Sequence, residues 1–375
     1  MPLSQADHAL LQRSVQLAHQ SISLSEPNPR VGCVLHDANG LLTGEGFTQQ
    51  AGGPHAEVMA LRSAMAAGHD LRGGTAWVSL EPCAHHGRTP PCCDALVAAG
   101  LARVVVATQD PYPEVAGQGI ARLRAAGIRV DLADGDTARE ARELNIGFFS
   151  RILRGRPWVR LKVAASLDGR TALPDGTSQW ITGPVARADG HRWRQRAGAV
   201  LTGIGTVQAD DPRLDVRLVD CACQPLRVVL DSSLSLPPTA RILQPPGHVL
   251  VVGAMANPEK TEALRRQGAE VLLLPNASGQ VDLAALISQL TERGINELHV
   301  EAGATLNAAL LAGGHADEVL AYLAPKLLGP GRDIAAWAPL VNLTQAVGLR
   351  FVAHDIVGDD LRLRARLPGA DAFLD

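Results

Sequence analysis

The chain has 375 residues, of which 46% are hydrophobic, 19% charged and only 3% aromatic, and its net charge is −3 with histidine neutral. A length of this size points to two domains of roughly 100–200 residues each. The slightly acidic balance, with no run of basic residues, disfavours a nucleic-acid substrate. No stretch nears the roughly 18 apolar residues that span a bilayer. The first residues, MPLSQADHALLQRS, lack the basic segment and apolar run of a signal peptide. Six cysteines are too few for a disulfide scaffold. The expectation is a cytoplasmic protein with neither membrane nor nucleic acid as partner.

Taken in chain order, residues 8–22 have apolar residues at helical spacing, with Asp7 as a cap and Pro27 and Pro29 beyond the end. Val31–Leu35 and Leu41–Phe47 read as a hairpin around Asn39-Gly40. A helix follows over 55–67, then a strand at 75–79, a helix at 92–99 and a buried strand at 104–107. Helix 118–126, strand 128–132 and helix 137–149 complete an alternating α/β half. The segment Arg151–Pro157, basic with Gly and Pro, reads as a linker, which divides the chain into residues 1–150 and 151–375.

The second half alternates again. Strands are expected near 158–164, 199–202, 227–230, 248–252 and 270–273, with helices at 184–196, 258–267 and 283–292. Gly303 stands between a strand and a helix starting near Thr305, whose free amides can bind phosphate. Gly203-Ile-Gly205 after a strand is a weak phosphate-loop signal, and a plain turn is the commoner origin of such a pair. No acidic residue follows at dinucleotide-fingerprint spacing, so a sheet outside the usual Rossmann pattern is expected.

The sharpest chemistry lies in the first half. His55-Ala-Glu57 is followed by Pro82-Cys83, eight residues, then Cys92. One imidazole and two thiolates suit zinc and leave a fourth position for water. Glu57 is then free to shuttle protons, an arrangement shared with zinc deaminases. The competing reading is a structural zinc with a fourth ligand from Cys93, His85 or His86, which leaves Glu57 without a role. Because residues two apart point to different sides of a helix, His55 must sit at the very start of its helix. Arg88, between the cysteines, can meet an anionic substrate group.

Pro27–Cys33, His55-Ala-Glu57 and Glu81–Cys92 together resemble the bifunctional deaminase–reductases of riboflavin biosynthesis. Ala165–Arg170, Ser178–Thr182, Asp210–Pro212, Val300–Gly303 and Pro325–Gly329 extend the resemblance over nearly the whole chain. It implies a cytidine-deaminase-like three-layer α/β/α domain followed by a dihydrofolate-reductase-like α/β domain. The implied activities are zinc-dependent removal of an amino group from a phosphorylated diaminopyrimidine, and NADPH-dependent reduction of its ribosyl chain. By the resemblance His55, Cys83 and Cys92 bind one zinc, Glu57 is catalytic and Asn28 contacts substrate. Ala164, Trp180, Thr206, Asp210 and Ser232 line the NADPH site, with Gly303, Ala304, Thr305, Leu306 and Asn307. Ser178, Arg194, Leu214, Arg217 and Glu301 face the phosphorylated substrate. The chain departs from the family pattern at Thr48 and Met59, where histidines are usual, at Asp215 in place of Thr, and at Ala304 in place of Pro. Asp215 brings negative charge to a presumed phosphate site, which Arg217 and Arg194 must offset. The competing class is a nucleic-acid-editing deaminase with an appended binding domain, and homo-oligomerisation is left open.

Overall fold

A computed structural model describes residues 3–85, 90–113 and 116–374. The chain divides into two compact units, Met1–Arg154 and Gly155–Phe373. Among the described residues no helix is long and apolar enough to cross a membrane.

The first unit is a five-stranded sheet between helices. Helix α1 (Gln5–Ala18) is capped by Ser4, not Asp7. Asp7 is the reciprocal partner of that capping box, and its other carboxylate oxygen takes Trp77 Nε1 at 3.0 Å and Arg103 at 2.7 Å. Strands β1 (Gly32–His36) and β2 (Leu42–Phe47) form the expected hairpin, followed by α2 (Ala56–Ala66), β3 (Thr75–Val78) and α3 (Cys92–Ala98). Then come β4 (Arg103–Val106), α4 (Gln118–Ala125) and β5 (Arg129–Leu132). The sheet order is β2-β1-β3-β4-β5, antiparallel up to β3 and parallel beyond it. Val34, Trp77 and Val105 pack against Leu11 and Val15 of α1 as the core of one face.

The helix expected over 137–149 is two helices, α5 (Gly135–Leu144) and α6 (Ile146–Arg154). Asn145 separates them because its side chain is engaged elsewhere. Its Oδ1 accepts the Arg30 amide at 2.7 Å and its Nδ2 donates to the Arg30 carbonyl at 2.9 Å. Because α6 continues to Arg154, the first residues of the segment read as a linker are helical.

The second unit begins with β6 (Trp158–Ser166), β7 (Arg170–Ala172), α7 (Pro184–Arg196), β8 (Ala199–Gly203) and α8 (Ile204–Asp210). Next are β9 (Leu226–Leu230), β10 (Val249–Gly253), α9 (Pro258–Arg266), β11 (Ala269–Leu273) and α10 (Leu283–Glu292). The chain then returns with β12 (Glu297–Val300), α11 (Ala304–Ala312), β13 (Glu318–Ala324), β14 (Arg332–Asp333), β15 (Arg350–Val357) and β16 (Asp360–Arg366). The main sheet runs β11-β10-β9-β8-β12-β6-β13-β16-β15, and β7 pairs with β14 apart from it. It is parallel from β11 to β13, and only β16 and β15 run antiparallel.

Val228 and Leu250 point into one apolar cluster and Val229 and Val251 into another. Alternating residues are therefore buried on both faces, as in a parallel sheet covered on each side. Arg160 and Glu318, both buried in neighbouring strands, pair at 2.6 Å, and Arg364 of β16 meets the same carboxylate at 2.9 Å.

Candidate functional site

The first site forms where α2 starts. Gly44 and Gly46 of β2 let the α2 backbone approach closely; a Cβ on Gly46 would lie 2.4 Å from Ala60 N. His55 is the N-cap residue of α2, with extended backbone (φ −78, ψ 170), and Glu57 lies in its first turn. The cap position resolves the geometric demand on a His-x-Glu pair, because His55 is not yet helical and its ring leaves along a different direction.

His55 Nδ1 lies 3.6 Å from Cys83 Sγ and 3.3 Å from Cys92 Sγ. The three ligand atoms fall within 4.8 Å of one another. The Cys92 amide donates to Cys83 Sγ at 3.3 Å. An imidazole nitrogen and two sulfurs converging at the start of a helix fit a tetrahedral zinc. Cys93 does not join them. Its thiol turns away to the carbonyls of Pro82 (3.2 Å) and Gly119 (3.5 Å). His86 and Arg88 lie outside the described residues.

Hydrogen bonding from Cys92, then from His55, pulls the Cys83 thiol down to about 4. Burial, reinforced by the charge on Cys83, lifts the Glu57 carboxyl to about 7. A buried carboxyl two residues along from the ligand imidazole is placed to take and return a proton. Asn28 sits in a tight turn, its amide donating to the Ser25 carbonyl at 2.8 Å, and Arg151 holds the neighbouring Pro27 carbonyl at 3.0 Å. Thr48 is buried and bonded through its amide to the Val31 carbonyl.

The second site lies at the carboxyl ends of β8, β12 and β6. Gly303 is the N-cap of α11, and its Cα hydrogens face Thr206 of α8, whose Oγ1 would be 3.8 Å from an added Cβ. Gly203, the N-cap of α8, likewise faces Leu306. Two helix N-termini thus stand side by side where adjacent parallel strands end, the usual ligand crevice of such sheets. Asn307 is buried and donates to the Ile334 carbonyl at 2.9 Å, so it anchors the chain beyond β14. Ser232 lies just past β9 and accepts the amides of Ala254 and Met255.

Sequence motifs far apart meet here. Asp168 accepts the Gly329 amide at 2.8 Å, and Lys326 donates to the Ile181 carbonyl at 2.8 Å. Trp180 is 63% exposed, which removes the core reading of a lone tryptophan; Arg187 stacks 4.5 Å from its ring centroid. Ser178 and Asp210 line one cavity of about 530 Å³ with Gln179, Ala209 and Arg332.

Arg194 of α7 and Glu301 form a bidentate pair, with Nη2–Oε2 at 2.9 Å. Lys162, half-buried on the same face of β6 as Ala164, stands 3.8 Å from Glu301, and His299 3.4 Å away. Burial opposes the charge on Glu301, but Arg194 and Lys162 outweigh it and hold the carboxyl well below its usual range. The carboxylate of Asp215 is taken by Arg213 at 2.8 Å and Arg217 at 2.7 Å, while Arg194 Nη1 bonds its backbone carbonyl at 3.0 Å. The added charge is thus neutralised inside the loop. Leu214 buries its side chain in the core at a positive φ of 51°, so a ligand there meets backbone.

Sequence reading missed Lys162 and His299, which are ordinary strand residues until β6 and β12 pair and place them beside Glu301. The only available signal was polarity at inward strand positions.

Residues 157–362 match the RibD C-terminal domain model, and residues 4–108 match the cytidine and deoxycytidylate deaminase zinc-binding region. The riboflavin biosynthesis protein RibD of Escherichia coli is 45% identical over 95% of this chain and 98% of its own. That of Aquifex aeolicus is 39% identical, with coverage of 96% and 98%. Among solved structures, RibD of Acinetobacter baumannii superposes with a TM-score of 0.85 at 42% identity. A deaminase/reductase from Thermotoga maritima does so with 0.84 at 33%, and both alignments cover 96% of this chain and 98% of the other.

Proposed function

This chain belongs to the RibD family, and on that premise we propose that it carries out two consecutive steps of riboflavin biosynthesis. The first is hydrolytic deamination of 2,5-diamino-6-(5-phosphoribosylamino)pyrimidin-4-one. The second is NADPH-dependent reduction of the ribosyl side chain to give 5-amino-6-(5-phosphoribitylamino)uracil. The first unit, Met1–Arg154, carries the first activity and the second, Gly155–Phe373, the other, so that the boundary read at 150/151 moves to the end of α6. The observation that carries the reading is the His55, Cys83 and Cys92 donor set with the buried Glu57 two residues along from its imidazole.

His55, Cys83 and Cys92 would hold one zinc, which when bound would make water nucleophilic near neutral pH. Glu57 would take the two protons of the attacking water in turn, passing the first to a ring nitrogen and the second to the amino group, which leaves as ammonia while the water oxygen becomes the ring carbonyl. Asn28 orients the ring, and Arg88 meets an anionic group of the substrate. In the second unit NADPH supplies hydride when bound. Gly303, Ala304 and Thr305 offer backbone amides to its phosphates; Ala164, Trp180, Thr206, Asp210, Ser232, Leu306 and Asn307 shape the rest of that crevice. Ser178, Arg194, Leu214, Arg217 and Glu301 hold the substrate, with Lys162 beside them. Catalysis in this half is chiefly positioning of hydride donor against acceptor.

The protein works in the cytoplasm on a small molecule, without nucleic acid or membrane. Sedimentation of the purified protein gives its oligomeric state. A coupled assay with the diaminopyrimidine phosphate, following ammonia and NADPH together, tests the reading. Ammonia released with no later NADPH oxidation removes the reductase assignment. Deamination of tRNA or single-stranded DNA in place of the small substrate replaces it with an editing enzyme.

A further inference from the structure

Glu81 immediately precedes the Pro82-Cys83 ligand turn, and its side chain is buried. Its hydrogen bonds among the described residues go to backbone amides and not to His55, Cys83 or Cys92. Its Oε2 accepts the amides of Asp110 (3.3 Å) and Gly117 (3.0 Å), and its Oε1 accepts that of Ile120 (3.0 Å). Gly117 is the N-cap of α4 and has no side chain with which to cap it. Glu81 therefore supplies, from another segment, the acceptor and the negative charge that the first turn of α4 lacks.

The same turn of α4 is seated directly on the ligand loop. A Cβ on Gly119 would lie 2.0 Å from the Pro82 carbonyl oxygen. Cys93, next to the ligand Cys92, bonds both that carbonyl and the Gly119 carbonyl. Asp110 is buried and accepts the Tyr112 amide at 2.8 Å, and the Tyr112 ring lies 6.1 Å from that of His85, which follows Cys83 by two residues.

We propose that Glu81 is a positioning residue for deamination: its single carboxylate fixes the Asp110–Tyr112 turn as a pocket wall at a set distance from the metal ligands, and so governs substrate binding without touching substrate. This rests on the deaminase reading above. A glutamine at this position keeps length but offers one acceptor oxygen to three amides and turns an N–H toward the others, so the wall loosens while the ligand triad stays.

The test is steady-state ammonia release by Glu81→Gln and Glu81→Asp with the diaminopyrimidine phosphate, alongside zinc analysis. Expected in Glu81→Gln are about one zinc per chain, a KM raised about tenfold or more, and kcat changed far less. Glu81→Asp keeps the charge but not the reach; it should show the same split more weakly, and it carries the test if Glu81→Gln does not fold. A zinc-loaded variant with unchanged KM, or with its loss in kcat alone, overturns the proposal. Wild-type protein that releases no ammonia overturns the deaminase reading instead.

Discussion

Replacing Gly46 with alanine probes how the first site is held together. The added methyl would lie 2.4 Å from Ala60 N and 2.5 Å from the Ala56 carbonyl oxygen, where ordinary contact begins near 3.4 Å. Both obstacles are backbone of α2, so no side chain can swing aside, and the helix must retreat from β2 by about 1 Å. Overpacking of this kind costs about 1–3 kcal/mol. His55 and Glu57 ride on the N-terminus of that helix, whereas Cys83 and Cys92 do not. Retreat therefore draws the imidazole and the carboxyl away from the two sulfurs. A misplacement of about 1 Å at a catalytic group is worth roughly 10²-fold in rate. Ammonia release by Gly46→Ala should fall about a hundredfold, while reduction of supplied deaminated intermediate stays at the wild-type rate. Wild-type ammonia release and an unchanged melting temperature in this variant would refute the packing argument.

Cys83→Ser should lose tight zinc, because two of three donors do not make a site; metal analysis after dialysis showing full stoichiometry contradicts this. Glu57→Gln should keep zinc and lose about 10²–10⁴-fold in deamination, while still reducing supplied intermediate. Arg194→Ala should do the reverse, impairing reduction and leaving ammonia release intact, since each side chain lies within one unit. Glu318→Gln addresses pH. Burial opposes its charge, but Arg160 and Arg364 outweigh this and hold the carboxyl at about 2, below its ordinary 4.5. The stabilisation is complete above 4.5 and is lost as pH falls toward 2. The variant should therefore lose that acid dependence, read as tryptophan fluorescence between pH 5 and pH 3; an unchanged acid limb counts against it.

The zinc site was legible because its chemistry is carried by residue types at short spacing. His55, Glu57, Cys83 and Cys92 announce themselves in any order of strands. Most strands and helices were also legible, since apolar runs such as Val104–Val106 and Val249–Val252 have no other reading. What escaped depends on pairing. The break at Asn145 exists only because Arg30 offers a backbone amide and carbonyl 115 residues away. Lys162 becomes remarkable only when β12 lies beside β6. Thr206 and Gly303 come from separate strand ends and face each other only in the folded sheet, and without the family resemblance no local spacing links them. Cys93 stood with His85 and His86 among the fourth ligands open to the competing structural-zinc reading, because sequence cannot show which way a side chain turns.

The place of β12 has a consequence for how the chain comes to be folded during synthesis. Strands β6 and β8 are separated in the sheet by β12, which is made roughly a hundred residues after β8. Until it emerges, two apolar strands each present an open edge to whatever else is nearby, and such edges recruit other chains. Glu318 must wait longer still, since Arg364 and Arg366 come from the last strand. The first unit faces no such delay, because every strand of its sheet has been made by residue 132. A ribosome stalled in the second half should thus release a finished deaminase attached to a sticky, incomplete sheet.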